Sequence, residues 1–135
     1  MRPAPSRGFT LVECVVALAI VALLATVALP SFQGEALRTA RLDAVQALTR
    51  LQLAQEQYRA ANGLYTTELS ALRGVMAVSD QGRYTLAVSL TGPESYRATA
   101  MARGAQSRDT SCPSLTLDVA QGWAQPGPSA QCWNR

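Results

Sequence analysis

The sequence predicts an α+β chain: one long N-terminal helix, half membrane-spanning and half amphipathic, packed on a small antiparallel β-sheet with a C-terminal loop bounded by two cysteines. Three observations predict it. An apolar run, GFTLVECVVALAIVALLATVAL, fills Gly8 to Leu29. Helical periodicity then continues to Ala61, and after Arg83 the apolar period falls from three or four residues to two. These divide the chain into a leader (1–8), a membrane helix (9–30), an amphipathic half (31–61) and a globular head (62–135).

From Phe9 to Leu29 the run has the roughly 20 residues a helix needs to cross a bilayer. It contains one carboxylate, Glu13, and a charge within such a helix costs on the order of 2.5 kcal/mol or more. A secretory signal peptide, cut near Thr26-Val27-Ala28, has no use for that carboxylate, and after Pro30 the chain continues at once as a polar helix. A plain anchor also leaves Glu13 unexplained.

Pro30 kinks a helix without necessarily ending it. Beyond it Leu37, Ala40, Ala44, Leu48, Leu51, Ala54 and Tyr58 form a stripe for a sheet to pack on, while Arg38, Arg41, Asp43, Arg50, Glu56 and Arg59 take other faces. Asn62-Gly63 ends the helix, since both residues tolerate the left-handed cap conformation. Leu64 to Gly82 is a connection with a short helical turn over Thr67–Leu72, capped by Thr66 or Thr67; its length marks it as a contact region.

Tyr84, Leu86, Val88 and Leu90 alternate with Thr85, Ala87 and Ser89 as a half-buried strand. Thr91–Glu94 turns the chain into a partner on which Tyr96, Ala98, Ala100 and Ala102 alternate with Arg97, Thr99, Met101 and Arg103. Leu115, Leu117 and Val119 mark a third strand that ends at Gly122. Trp123 to Arg135, rich in Pro, Gly, Ser and Gln, reads as a loop.

At Gly8-Phe9-Thr10-Leu11-Val12-Glu13 the chain resembles the processing site of type IV prepilins and of type II secretion pseudopilins. The resemblance implies that a prepilin peptidase cuts between Gly8 and Phe9 and methylates the new terminus, leaving the apolar helix on the mature protein. It gives Glu13 a role: the cationic amine of one subunit's Phe9 would meet the carboxylate of a neighbour and fix the register of assembly, although the one-turn spacing also permits a contact within one chain. Asn62–Thr66 resembles the opening of the corresponding pilin loop. Cys132-Trp133 and the stretch Ser107–Cys112 followed by Leu115–Leu117 are similar to PilE-type minor pilins. The likeness therefore implies the type IV pilin fold over nearly the whole chain.

Composition bounds the function. All twelve basic residues are arginine and there is no His, which removes the usual general base and imidazole ligand and weighs against an enzyme. No nucleophile comes with a spaced base and no phosphate loop appears, so no cofactor, metal or catalytic residue is assigned. The net charge of +3 falls to about +1 once Arg2 and Arg7 leave with the leader, and those two arginines place the N-terminus in the cytoplasm. Cys112 and Cys132, in a domain outside the cytoplasm with a small core, are expected to pair; two thiols without His lack a metal-ligand set. Cys14 reads as a small buried apolar residue.

The resemblance thus implies a minor pilin of a type IV pilus, stored in the inner membrane and assembled through its N-terminal helix with other pilin subunits into a surface filament that serves adhesion, twitching motility or DNA uptake. Two alternatives stand beside it. A DNA-uptake receptor of the ComP type would bind nucleic acid through Arg73, Arg97, Arg103 and Arg108, Arg103 and Arg108 above all, but the near-neutral head argues against it. A secretion pseudopilin would share the N-terminal motif, but the type usually carries an acidic calcium-binding loop, which this sequence lacks.

Overall fold

A computed structural model describes residues 8–135, so the expected leader, with Arg2 and Arg7, lies outside the described residues except for Gly8. The chain divides into two compact units, Met1–Glu35 and Ala36–Arg135.

In the first unit helix α1 (Leu11–Asn62) begins and runs on through Pro30. Its N-terminal stretch is long and apolar enough to cross a membrane. Large apolar side chains from Phe9 to Phe32 all stand exposed, Phe9 at 84%. An apolar surface so complete is not covered by any of the described residues and calls for lipid or other helices.

In the second unit α1 supplies one face of the core. Ala40, Ala44, Leu48, Leu51 and Ala54 are buried as the stripe requires, whereas Tyr58 is half-buried. Gly63, at φ +80°, receives the chain as it leaves the helix and donates its N–H to Arg59 O at 2.7 Å. The sheet has the order β1 (Tyr84–Gly92), β2 (Ser95–Ala102), β3 (Ser114–Ala120) and β4 (Trp123–Gly127), all antiparallel. Tyr84, Leu86, Tyr96, Ala98, Ala100, Leu115, Leu117 and Val119 cover the core.

The region 64–82 is pinned by helix side chains at both ends. The buried Gln55 carboxamide bonds Thr66 like a backbone group, Nε2 donating to Thr66 O at 2.6 Å and Oε1 accepting from Thr66 N at 3.1 Å. At the far end buried Asp43 accepts from Ser79 Oγ at 2.6 Å and from Gln81 N at 3.2 Å, and Ser79 Oγ accepts from Tyr84 N. Between them the expected helical turn is a short 3-10 segment, Leu69–Ala71; Thr66 Oγ1 accepts from Glu68 N, but no side chain caps the segment.

Two expectations are corrected. Trp123–Arg135 is not all loop: Gln121 (φ 51°) and Gly122 (φ 82°) make a two-residue turn of the kind that suits hairpins, and β4 follows as an edge strand. Pro126, opposite Leu117, is tolerated there because an edge strand can turn the position without an N–H away from the ladder. Arg41 and Asp43 do not lie on a solvated face; both are buried and spend their charge on hydrogen bonds.

The Cys112–Cys132 disulfide forms, with sulfurs 2.01 Å apart. It returns the C-terminal segment to the turn before β3, where Trp133 donates Nε1 to Gly127 O at 2.8 Å and Asn134 Nδ2 donates to Arg38 O at 3.1 Å.

Candidate functional site

The first unit's polar chemistry gathers at Gly8–Glu13. Gly8 and Phe9 are exposed ahead of the helix, so the expected cleavage position is sterically open. Thr10 caps α1. Its N–H and Oγ1 donate to Glu13 Oε2 at 2.8 and 3.0 Å, and its Oγ1 accepts from Glu13 N at 3.3 Å. This reciprocal pattern, a threonine answered three residues later by a glutamate, is a capping box, and it satisfies backbone donors that the helix start leaves open. In the uncut chain Phe9 N is a peptide nitrogen rather than an amine, and Glu13 bonds Thr10. Oε1 takes no hydrogen bond among the described residues. Cys14 is exposed rather than buried.

In the second unit two sets of arginines stand out. Four are matched to carboxylates: Arg41 to Asp109, Arg50 to Asp80, Arg59 to Glu94 and Arg97 to Asp118. Hydrogen bonding to its carboxylate raises each of Arg41, Arg50 and Arg97, and Arg50 in turn lowers Asp80. Arg59 is raised first by its bond to Tyr65, over whose ring it sits at 5.1 Å. Arg97, one of four residues suggested for an anion patch, is thus committed on the sheet to Asp118, through two bonds of 2.6 and 2.9 Å.

Arg83, Arg103 and Arg108 form the other set. Arg103 N donates to Arg83 O at 2.9 Å, continuing the β1–β2 register by one pair, so the two arginines face each other across the strands. Like charges placed opposite each other repel, and among the described residues neither has a carboxylate partner. Arg108 follows on the 3-10 segment Gly104–Arg108, its Nε donating to Ala105 O at 3.3 Å. Arg73 lies apart, on the connection before β1.

The segment between Arg103 and Arg108 is anchored from beneath. Gln106 Nε2 donates to Leu37 O at 3.0 Å and to Asp109 Oδ2 at 3.3 Å. Asp109 takes two bonds from Arg41, 2.7 Å from Nε and 2.9 Å from Nη2, and Arg41 Nη1 reaches Gln131 O at 3.2 Å. Arg41 and Asp109 are each about 4% exposed, so this pair joins α1, the 3-10 segment and the C-terminal segment inside the protein. Tyr84 Oη and Gln106 Oε1 are buried without a hydrogen-bond partner among the described residues, and burial raises the Tyr84 phenol.

Sequence reasoning missed Arg83, whose place opposite Arg103 follows from extending the hairpin register by one pair. It also missed the Arg41–Asp109 pair, which spans 68 residues of chain and leaves no local signal.

A helix-on-sheet head and an N-terminal apolar helix opened by a capping box define a pilin-type subunit, and comparison with known proteins agrees. Residues 4–29 match the prokaryotic N-terminal methylation motif. Residues 30–116, well over half of the chain, match the family described as type IV minor pilin ComP, DNA uptake sequence receptor, and the chain belongs to that family. It is 26% identical over 124 residues to fimbrial protein EcpC of Eikenella corrodens, covering 87% of this chain and 80% of that one. It is also 30% identical over 87 residues to type II secretion system core protein G of Klebsiella michiganensis, covering 62% and 61% respectively. The protein is a type IV minor pilin.

Proposed function

We propose that this chain is held in the inner membrane by its N-terminal helix, with the leader in the cytoplasm, is cut between Gly8 and Phe9 by a prepilin peptidase that methylates the new terminus, and enters a surface pilus beside other pilins. The observation that carries this reading is Glu13, a carboxylate kept in an apolar run within a matched methylation motif. Oε2 serves the capping box, and Oε1 offers the Phe9 amine of an adjoining subunit a counter-charge. A buried charge pair is tolerated only when both partners are in place, which disfavours a misregistered neighbour. Mass spectrometry of sheared filaments is expected to find a methylated peptide starting at Phe9. Replacing Gly8 with a bulky residue is expected to leave full-length precursor in the membrane; unchanged processing would refute the cleavage assignment.

A second reading is supported by the arrangement of charge. Net charge argues against nucleic acid, but Arg83 and Arg103 face each other, with Arg108 on the segment that follows, and among the described residues none of the three has a carboxylate partner, while Arg41, Arg50, Arg59 and Arg97 are neutralised in pairs; the matched family is described as a DNA uptake sequence receptor. Guanidinia without carboxylate partners suit the phosphates of duplex DNA, and such contacts weaken steeply with salt. A mobility shift of duplex DNA by the full chain in detergent is expected at low salt and lost when Arg103 and Arg108 are replaced together. A shift that survives that replacement would remove these arginines from consideration.

The secretion pseudopilin reading draws on the Klebsiella relative, which this chain covers for less than two thirds of its length. The disulfide in the head favours the pilus.

A further inference from the structure

The sheet face turned away from α1 carries polar side chains and one tryptophan. Core residues alternate with it, so the register places on this face Ser89, Arg97, Asp118 and Gln125 as one row across the four strands, and Ser95, Ala120 and Trp123 as the row beside it. Trp123 is 84% exposed, the highest exposure of any large apolar side chain in the head. A single exposed apolar residue is ordinary on a protein surface. Trp123 differs in its setting: its neighbours along the row are only alanine and serine, so nothing shades the indole face. The two-residue turn Gln121-Gly122 and the Ala120–Trp123 pairing hold its backbone in place.

The adjoining row supplies hydrogen-bonding groups of both kinds. Arg97 uses Nε and Nη2 on Asp118, which leaves Nη1 with its two donors unengaged. The Gln125 carboxamide and the Ser89 hydroxyl make no hydrogen bond among the described residues, and each Asp118 oxygen keeps a second lone pair. The row carries no net charge, because the Arg97–Asp118 pair is its whole ionic content. The unpaired arginines lie elsewhere: Arg103 is eight residues along β2 from Ser95, about 26 Å at about 3.3 Å per residue.

We propose that this face is a glycan-binding surface, on which the C–H face of an uncharged sugar ring stacks on Trp123 and its hydroxyls bond Arg97 Nη1, Asp118 and Gln125. Sugars present polarised C–H groups on one ring face and alternating donors and acceptors around the rim. The negative face of an indole meets the first, and a neutral row with free donors and acceptors meets the second. A nucleic acid strand fits less well, because its phosphates would meet Asp118 with no free cation beside it. An open face with one aromatic gives weak binding to a single ring, strengthened along a chain of rings and by many copies on a filament.

Two tryptophans with opposite environments make the test direct. Trp133 is 6% exposed and hydrogen-bonded, so solvent quenchers reach Trp123 far better. The full chain in a zwitterionic detergent without sugar headgroups is titrated with chitohexaose and, separately, maltohexaose. The titration is followed by acrylamide quenching of fluorescence and by saturation-transfer NMR of the sugar. At least one oligosaccharide in the millimolar range is expected to shift the emission to the blue and cut quenching several-fold. Saturation transfer is expected to vanish in Trp123→Ala and to weaken several-fold in Gln125→Ala, with Trp133 emission unchanged in both. Quenching unaffected by either sugar overturns the proposal. So does protection by single-stranded oligothymidylate in their place, or protection that grows with protein concentration alone, which would mark a nucleobase platform or a contact between copies.

Discussion

At the residue scale, the capping box that Glu13 closes is separable from the counter-charge proposed for it in assembly. A glutamine three residues after the cap can still close a capping box, because its carboxamide oxygen accepts from Thr10 N, but it carries no charge. Glu13→Gln is therefore expected to preserve membrane insertion and helix content while abolishing incorporation into filaments, measured by comparing membrane and sheared-pilus fractions. Thr10→Ala is expected to do the reverse, keeping the charge and fraying the helix start. Equal pilus incorporation by Glu13→Gln and the native chain would assign the carboxylate to capping alone. In the head the comparable residue is Asp109. Asp109→Asn leaves Arg41 a buried cation without a carboxylate, expected to cost about 3 to 5 kcal/mol. For a head of this size that lowers the melting temperature by more than about 10 °C, read by circular dichroism. Pairing Arg41→Met with Asp109→Leu is expected to recover most of the loss, since neither charge then lacks its partner. Helical periodicity placed Arg41 and Asp43 on outer faces because it counts charge as exposed. Their partners, Asp109 and Ser79, come from distant segments that no spacing along the helix reveals.

At the scale of elements, the C-terminal hairpin depends on a turn and a staple. Gln121 holds a left-handed conformation that most side chains resist, and asparagine adopts it more readily. Gln121→Asn is expected to raise the melting temperature by a few degrees without altering the sheet. Cys132→Ser opens a loop of 20 residues and is expected to lower stability by about 3 kcal/mol, checked by denaturant titration under oxidising conditions. The helix and β1 to β3 were legible because burial on one face writes its period into the sequence. β4 was not: Pro126 and Gly127 are loop signals, and only its edge position makes them compatible with pairing. The pairing of Cys112 with Cys132 was legible from their setting, whereas the hydrogen bonds that tie the returned segment to α1 were not.

Across the molecule, the head buries three phenols against the helix. Tyr65 and Tyr96 stack edge to face at 4.7 Å, and burial is the leading cause that raises Tyr65, Tyr84 and Tyr96 alike. A phenol whose folded value lies above its unfolded value of about 10 stabilises fully below that pH, and the contribution is lost as pH rises beyond it. The head is therefore expected to hold its stability from neutral pH to about pH 10 and then lose it steeply, with phenolate absorbance appearing together with loss of circular dichroism. Gradual phenolate formation before unfolding would show the rings to be accessible. The family could be read from Gly8–Glu13 and the pattern behind it, but the set of arginines without carboxylate partners could not, because net charge averages over the pairs that cancel.

The bonds from Gln55 to Thr66 and from Asp43 to Ser79 carry a consequence for how this subunit diversifies. With both margins fastened to α1, the intervening segment can be exchanged like a cassette while the sheet it leads into stays put. Grafts between Thr66 and Ser79 taken from related subunits should therefore be accepted by the same scaffold, and new surface chemistry could arise there without refolding the rest.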